Sequence, residues 1–163
     1  MSIKKTNAMR ILDKLNIIYE VIEYDDNIEH KLELGAAERV AGKVGVNPGQ
    51  VFKTIVMKAD TNEILVFCQN ALHKINLKKA RSVAGVKTLE SVKPENLQCI
   101  TGYIRGGCSP IGMRKLYRTF IDNSASNYDA IFISGGRRGI QIKLNPNDLI
   151  SVVDAEFCDL ILE

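Results

Sequence analysis

Two apolar runs joined by a turn constrain this chain more than any other feature. "QVFKTIVM" (Gln50 to Met57) and Ile64 to Gln69 flank the turn-forming "ADTNE", and together they read as a hairpin. In the first run Val51, Phe52, Ile55, Val56 and Met57 leave little polar surface, so both faces of the strand are expected to be covered. Alternation puts Lys53 on the face of Val51, Ile55 and Met57. A lysine is rarely fully buried without a partner, because taking its ammonium out of water costs free energy. Lys53 therefore either snorkels from a strand end or is placed there for a purpose.

Around this hairpin, helices and strands alternate. Thr6 can cap a helix whose Ala8, Met9, Ile11, Leu12 and Leu15 share one face. "IIYEVIEY" (Ile17 to Tyr24) reads as a strand. A second helix over Glu33 to Val44 buries Ala37, Val40, Ala41 and Val44 and stops at Gly45. Asn76 caps a short helix that ends at Gly85, and Pro94 opens another near Glu95 to Cys99. Later strands are expected at Thr119–Asp122, Ala130–Ser134 and Ile140–Leu144, with a last helix started by Asn145 and Pro146. Hairpins mixed with helical crossovers predict an α/β (α+β) fold with a mixed, strongly curved sheet. No repeat, low-complexity segment or linker interrupts the chain, which is expected to be a single domain over 1–163.

Composition narrows function by exclusion. The 163 residues are 45% apolar and 25% charged, enough for a sizeable core. With 22 basic and 19 acidic side chains the formal charge is only +3, so any affinity for phosphate must come from local clusters. The N-terminus lacks the apolar core of a signal peptide, and no run is long enough for a membrane helix; a cytoplasmic protein is expected. Cys68, Cys99, Cys108 and Cys158 are scattered, and His30 and His73 are the only histidines. No metal site follows from such spacing. Cys68 and Cys158 read as small core residues, and the histidines as solvated or structural.

Two glycine-rich segments stand apart. "TGYIRGGCSPIG" (Thr101 to Gly112) fits a surface loop in which glycines supply turns. It also fits a backbone cradle, whose N–H groups approach a carbonyl or phosphate closely. It lacks the G-K-[ST] of a Walker loop and the spacing of a dinucleotide fingerprint. "ISGGRRGIQI" (Ile133 to Ile142) predicts a hairpin; Ser134 could offer a hydroxyl there, and Gly135 and Gly136 N–H donors. Arg137 and Arg138, with "RKLYR" (Arg114 to Arg118), are the best basic clusters in the chain.

In this order, "NPGQVFKTIV", "TGYIRGGCSPIG" and "SGGRRG" resemble the YbaK/EbsC family of free-standing aminoacyl-tRNA deacylases, relatives of the editing insertion of bacterial prolyl-tRNA synthetase. The leading helix, "VIEYDDN" and "DLISVVDAEFCDL" extend the likeness over nearly the whole chain. The G-Y-x-x-G-G-x-S-P-x-G segment points to the Cys-tRNA(Pro) deacylase branch.

The resemblance implies a compact fold with a barrel-like mixed sheet flanked by helices. It places the family's essential lysine at Lys53, with Thr54 beside it, and substrate-pocket positions at Tyr24, Gly106 and Ser134. Gly107 and Gly135 are expected to add backbone N–H groups, those of Gly106 and Gly107 facing the reacting oxygen. Arg114, Arg118, Arg137 and Arg138 are the candidates for tRNA contact. The implied substrate is cysteine mischarged on tRNA(Pro), with the substrate's own thiol as nucleophile. The implied partners are the acceptor end of that tRNA and prolyl-tRNA synthetase. No cofactor, DNA or membrane is implied. Three departures from the family pattern bear on specificity: Gln141 stands where an aspartate is common, small or aliphatic residues occupy Leu34 to Ala36 in place of an aromatic, and Cys108 replaces an aliphatic. The alternatives are a deacylase of another aminoacyl-tRNA, such as Ala-tRNA, using water, and a non-catalytic module that binds tRNA or the synthetase.

Overall fold

The computed structural model describes residues 4–24 and 45–161, and every structural statement below concerns those residues. In chain order they form α1 (Asn7–Lys14), β1 (Tyr19–Glu23), β2 (Phe52–Ala59), β3 (Ile64–Asn70) and α2 (Leu77–Ala84). There follow β4 (Leu89–Ser91), α3 (Pro94–Thr101), β5 (Arg118–Asp122), β6 (Ile131–Ser134), β7 (Ile140–Leu144), α4 (Pro146–Val153) and β8 (Glu156–Cys158). The helix expected over Glu33 to Val44, the Leu34–Ala36 segment and His30 lie outside the described residues.

The helices begin and end where the capping residues say they should. The Thr6 hydroxyl accepts the Met9 N–H at 3.3 Å, and α1 buries Ala8, Met9 and Leu12. Leu15, expected on the same face, lies just past the last turn and is 51% exposed. Asn76 accepts the Lys79 N–H to start α2, and Gly85 ends it at φ 72°, a conformation that glycine adopts without strain. Pro146 opens α4 behind the Asn145 cap.

The strands make two sheets, ordered β1-β7-β6 and β4-β2-β3-β5-β8. The first is antiparallel throughout. The second pairs β2 antiparallel with β3 and β4, and β5 parallel with β3 and β8, so it is mixed, as the alternation of hairpins and crossovers implied. A parallel bridge between Val51 and Phe132 joins the sheets, so β6 lies along the edge of β2. The three-residue strands β4 and β8 were not expected: each is too short to carry a pattern of its own and is held by pairing alone.

Both faces of β2 are covered, as its composition implied. Phe52 and Val56 enter the larger core with Val66, Cys68, Ile133, Ile142 and residues of α1 and α4. On the other face Met57 and Ala59 pack with Leu65, Phe67 and Ala80 of α2, where the Phe67 ring stacks on Phe120 at 5.4 Å. Val51 and Phe132 extend this second face across the seam. Cys158, expected in the core, is only partly buried against this second cluster.

Candidate active site

Strand register assembles the site. In the β2–β3 ladder Lys53 lies opposite Gln69. The parallel pairing of Val51 with Phe132, carried two residues on, sets Lys53 alongside Ser134. Ser134 lies opposite Gln141 in the β6–β7 hairpin, and Gln141 lies opposite Ile22 of β1. Directly opposed residues share a face, so Gln69, Lys53, Ser134, Gln141 and Ile22 form one polar-centred row across both sheets. Neighbouring strands are about 4.8 Å apart, which makes the row about 19 Å long. Tyr24 follows two residues beyond Ile22, and its N–H donates to Gly139 O at 2.9 Å.

Lys53 is the exceptional member. Its side chain reaches water, yet desolvation by the surrounding protein pulls its pKa below the ordinary lysine value. None of the hydrogen bonds or ion pairs between described residues includes it. The cation is thus partly desolvated and has all its donors to offer. Gln141 is buried, and its Oε1 has no hydrogen-bond partner. Ser134 Oγ is engaged lightly, accepting the Gly136 N–H at 3.3 Å.

Two expected pocket residues are not brought to this face. Thr54 alternates to the opposite side of β2, across from Cys68, with its Oγ1 buried. Gly135 is a hinge of the hairpin: its N–H donates to Ile140 O at 2.9 Å and its carbonyl accepts the Thr6 hydroxyl at 2.6 Å.

The glycine-rich loop packs on that hairpin. A Cβ on Gly107 would sit 3.0 Å from Arg137 Cα and from Arg138 N, so glycine permits the close approach. Arg138 Nε donates to Arg105 O at 3.0 Å, and the Tyr103 hydroxyl donates to Ile111 O at 2.6 Å, tying the loop at both ends. The Gly107 N–H is committed to Ile104 O at 3.0 Å and cannot serve as an oxyanion donor in this state. The Gly106 N–H makes no hydrogen bond among the described residues, which narrows the expected donor pair to Gly106. Cys108 sits half-buried nearby; burial pushes its thiol up to about 11, leaving it protonated near neutrality.

The arginines divide. Arg137 and Arg138 occupy the turn that follows Ser134, and Arg137 reaches Lys4 O at 3.4 Å. Arg114 is exposed and donates to Gln98 O at 3.3 Å. Arg118 is spent elsewhere: it grips Glu63 in a fork at 2.9 and 3.0 Å and donates to Ala84 O at 2.8 Å. It pairs with Leu65, four residues along β3 from Gln69, so the structure does not bring it to the Lys53 row. Among the described residues no group of His, Cys, Asp and Glu could hold a metal ion, and no helix is long and apolar enough to cross a membrane.

The sequence profile of the family described as "Aminoacyl-tRNA editing domain" matches residues 33–152. The chain belongs to this aminoacyl-tRNA editing family. The "Putative Cys-tRNA(Pro)/Cys-tRNA(Cys) deacylase EbsC" of Enterococcus faecalis is 36% identical over 157 residues, covering 96% of this chain and 93% of that protein. A proline–tRNA ligase of Brachyspira hyodysenteriae is 30% identical over 91 residues, covering 56% of this chain but only 16% of the ligase. The editing fold is also seen in a solved structure titled "Crystal structure of a putative trans-editing enzyme for prolyl tRNA synthetase", with a TM-score of 0.82 at 22% identity. That match covers 99% of this chain and 100% of the other. Lys53, Ser134 and Gln141 all fall within the stretch matched by the editing family.

Proposed function

We propose that this chain is a trans-acting editing deacylase that removes cysteine from tRNA(Pro), working as one domain in the cytoplasm. The observation that carries the reading is Lys53: an ammonium without a partner among the described residues, partly desolvated, in register with Ser134 and Gln141. Poor hydration strengthens its attraction for the negative charge of a 3′-terminal nucleotide or of a developing oxyanion. The Gly106 N–H is the backbone donor left to assist it.

No serine–histidine or cysteine–histidine pair accompanies this cation among the described site residues, and the Cys108 thiol is held protonated by burial. The nucleophile in this reading is the thiol of the substrate cysteine. Its sulfur forms a bond to the ester carbonyl carbon, and the bond from that carbon to the terminal ribose oxygen breaks. The ribose oxygen takes up the proton released by the thiol, leaving free tRNA and a cyclic thioester of cysteine. The protein's share is orientation and charge stabilisation, not covalent chemistry. The acceptor end is held by Arg137 and Arg138 beside the site, and prolyl-tRNA synthetase is the partner that would deliver it.

The experiment is a deacylation assay on tRNA(Pro) charged with cysteine, serine, alanine or proline. We expect Cys-tRNA(Pro) to be cleaved far faster than Ser-tRNA(Pro): a hydroxyl fills nearly the same space but supplies much less anion, and a pocket alone separates such close analogues weakly. Normal cleavage of an S-alkylated Cys-tRNA(Pro) would sink the thiol mechanism. Preferential cleavage of Ala-tRNA would replace it with attack by water.

A further inference from the structure

Gln69 is the penultimate residue of β3, follows a run of buried apolar residues and is itself fully buried. Its side chain is only half satisfied. Nε2 donates to His73 O at 2.6 Å, while Oε1 has no hydrogen-bond partner. Turning the amide over would set two oxygens against each other at that distance, so the free atom must be the acceptor. A buried acceptor left unpaired costs the full desolvation of the group and needs a reason. Directly across the ladder, on the same face, stands Lys53, a donor without a partner among the described residues. An unmet acceptor and an unmet donor thus occupy opposed positions whose Cβ atoms lie about 5 Å apart.

We propose that Gln69 is a positioning residue for Lys53: its Oε1 accepts one ammonium N–H when substrate fills the site, aiming the remaining donors at the reacting end. The inference rests on the editing reading for the role of Lys53. Gln69 is sealed from solvent and acts through the lysine, without touching substrate. Its amide suits the task. The hydrogen bond to the His73 carbonyl locks the side chain, so the acceptor is in place before substrate arrives. Being uncharged, it orients the ammonium without forming an ion pair that would hold the lysine away from substrate. Three-donor geometry permits the sharing, since a lysine ammonium can donate once to Gln69 and twice outward.

The test uses the full chain and two substitutions that both lose the donor to His73 but act oppositely on Lys53. Gln69→Leu removes the acceptor, and Gln69→Glu replaces it with a carboxylate that would pair with the ammonium and hold it back from substrate. We expect Gln69→Leu to lower kcat by about tenfold to a hundredfold, with KM within about twofold and the basic limb of the pH–rate profile no higher than in the wild type. Gln69→Glu should lower kcat while moving that limb to higher pH. A structural role resting on the His73 bond would make both variants fail with the same pH profile, and that result overturns the proposal. So does an unchanged kcat in Gln69→Leu. If Gln69→Leu does not fold, the wild-type protein decides. With a non-cleavable 3′-amide analogue of cysteinyl-adenosine bound, the Lys53 ammonium protons should exchange slowly and show a cross-peak to the Gln69 side-chain amide by NMR. Absence of that signal overturns the proposal. Wild-type turnover of Cys-tRNA(Pro) tests the editing reading separately, so the two can fail independently.

Discussion

The two ends of the β2–β3–β5 sheet each carry a cation, and the fold treats them in opposite ways. At one end Arg118 is clamped by the Glu63 carboxylate and the Ala84 carbonyl, which holds it still more firmly in its charged form. At the other, Lys53 reaches water but is partly desolvated, has no described counter-charge, and is moved towards the neutral amine. Both residues looked functional in the sequence, one as catalyst and one as tRNA contact. What separates them is whether a partner lies within reach. A cation already satisfied by its own protein has little left to offer a ligand, whereas an unsatisfied and partly desolvated one is a ready binding group.

The largest test of this contrast is at Lys53. We expect Lys53→Ala to cut kcat/KM for Cys-tRNA(Pro) by about 10²–10³-fold, the scale of losing one preorganised charge donor. Lys53→Met should do the same without loss of stability. The sign follows from the lowered pKa: the unfolded chain holds the proton more tightly, so keeping Lys53 charged costs the folded state throughout the range below its folded pKa. Removing it should raise Tm slightly, on the order of 1 °C, because water still reaches the group and reduces that cost. A calorimetric scan showing a large drop in Tm would mean that Lys53 is a structural residue like Arg118.

Next in size is the packing that holds the two loops together beside Lys53. Gly107→Ala forces a Cβ against the backbone of Arg137 and Arg138, with no flexible side chain to give way. Stability should fall by about 1–3 kcal/mol, the usual range for overpacking, and deacylation should fall with it as the hairpin carrying Ser134 is displaced. Unchanged denaturation midpoint and activity would show that these loops are not rigidly coupled.

A smaller effect is expected at Arg137. Arg137→Gln should weaken tRNA binding and reduce the slope of log K against log salt by about one, the release of one counterion. Turnover at saturating substrate should change little. An unaltered slope would put Arg137 in the same class as Arg118.

The smallest effect falls at the far end of the sheet. Arg118→Met should cost about 1 kcal/mol at most, since both members of its pair with Glu63 stand in water, and should leave the salt slope of tRNA binding alone. If that slope flattens as much as in Arg137→Gln, the contrast between the two ends is wrong.

Much of the fold was legible because its signals are local. Thr6, Asn76 and Asn145 accept N–H groups two or three residues ahead of them, and Gly85 closes a helix beside it; such bonds need no distant neighbour. The hairpins at "ADTNE" and "SGGRRG" are local in the same sense. The strands β4 and β8 escaped notice because three residues hold no periodicity, and their partners lie far away in sequence. The candidate site divides along the same line. Family likeness in the motifs pointed to Lys53, Gly106 and Ser134 as well as to Thr54 and Gly135; register turns Thr54 to the other side of β2, and Gly135 is bonded within the hairpin and to Thr6.

The sequence by itself determined that Lys53 interrupts an apolar strand, and that two glycine-rich segments, each with arginines in or beside it, accompany it. Those are properties of spacing and composition within single segments. Only the tertiary structure decided which of these features meet. The pairing of Val51 with Phe132 spans about half of the chain, and it alone sets Lys53 beside Ser134. Glu63 and Arg118 find each other across 55 residues, which engages a side chain expected to contact tRNA. Gln69 gave no signal in the sequence, because a polar residue at a strand end is ordinary until the ladder shows what stands opposite. Register is a non-local quantity, fixed when distant strands bury their apolar faces together, and the chemistry of this site depends on it.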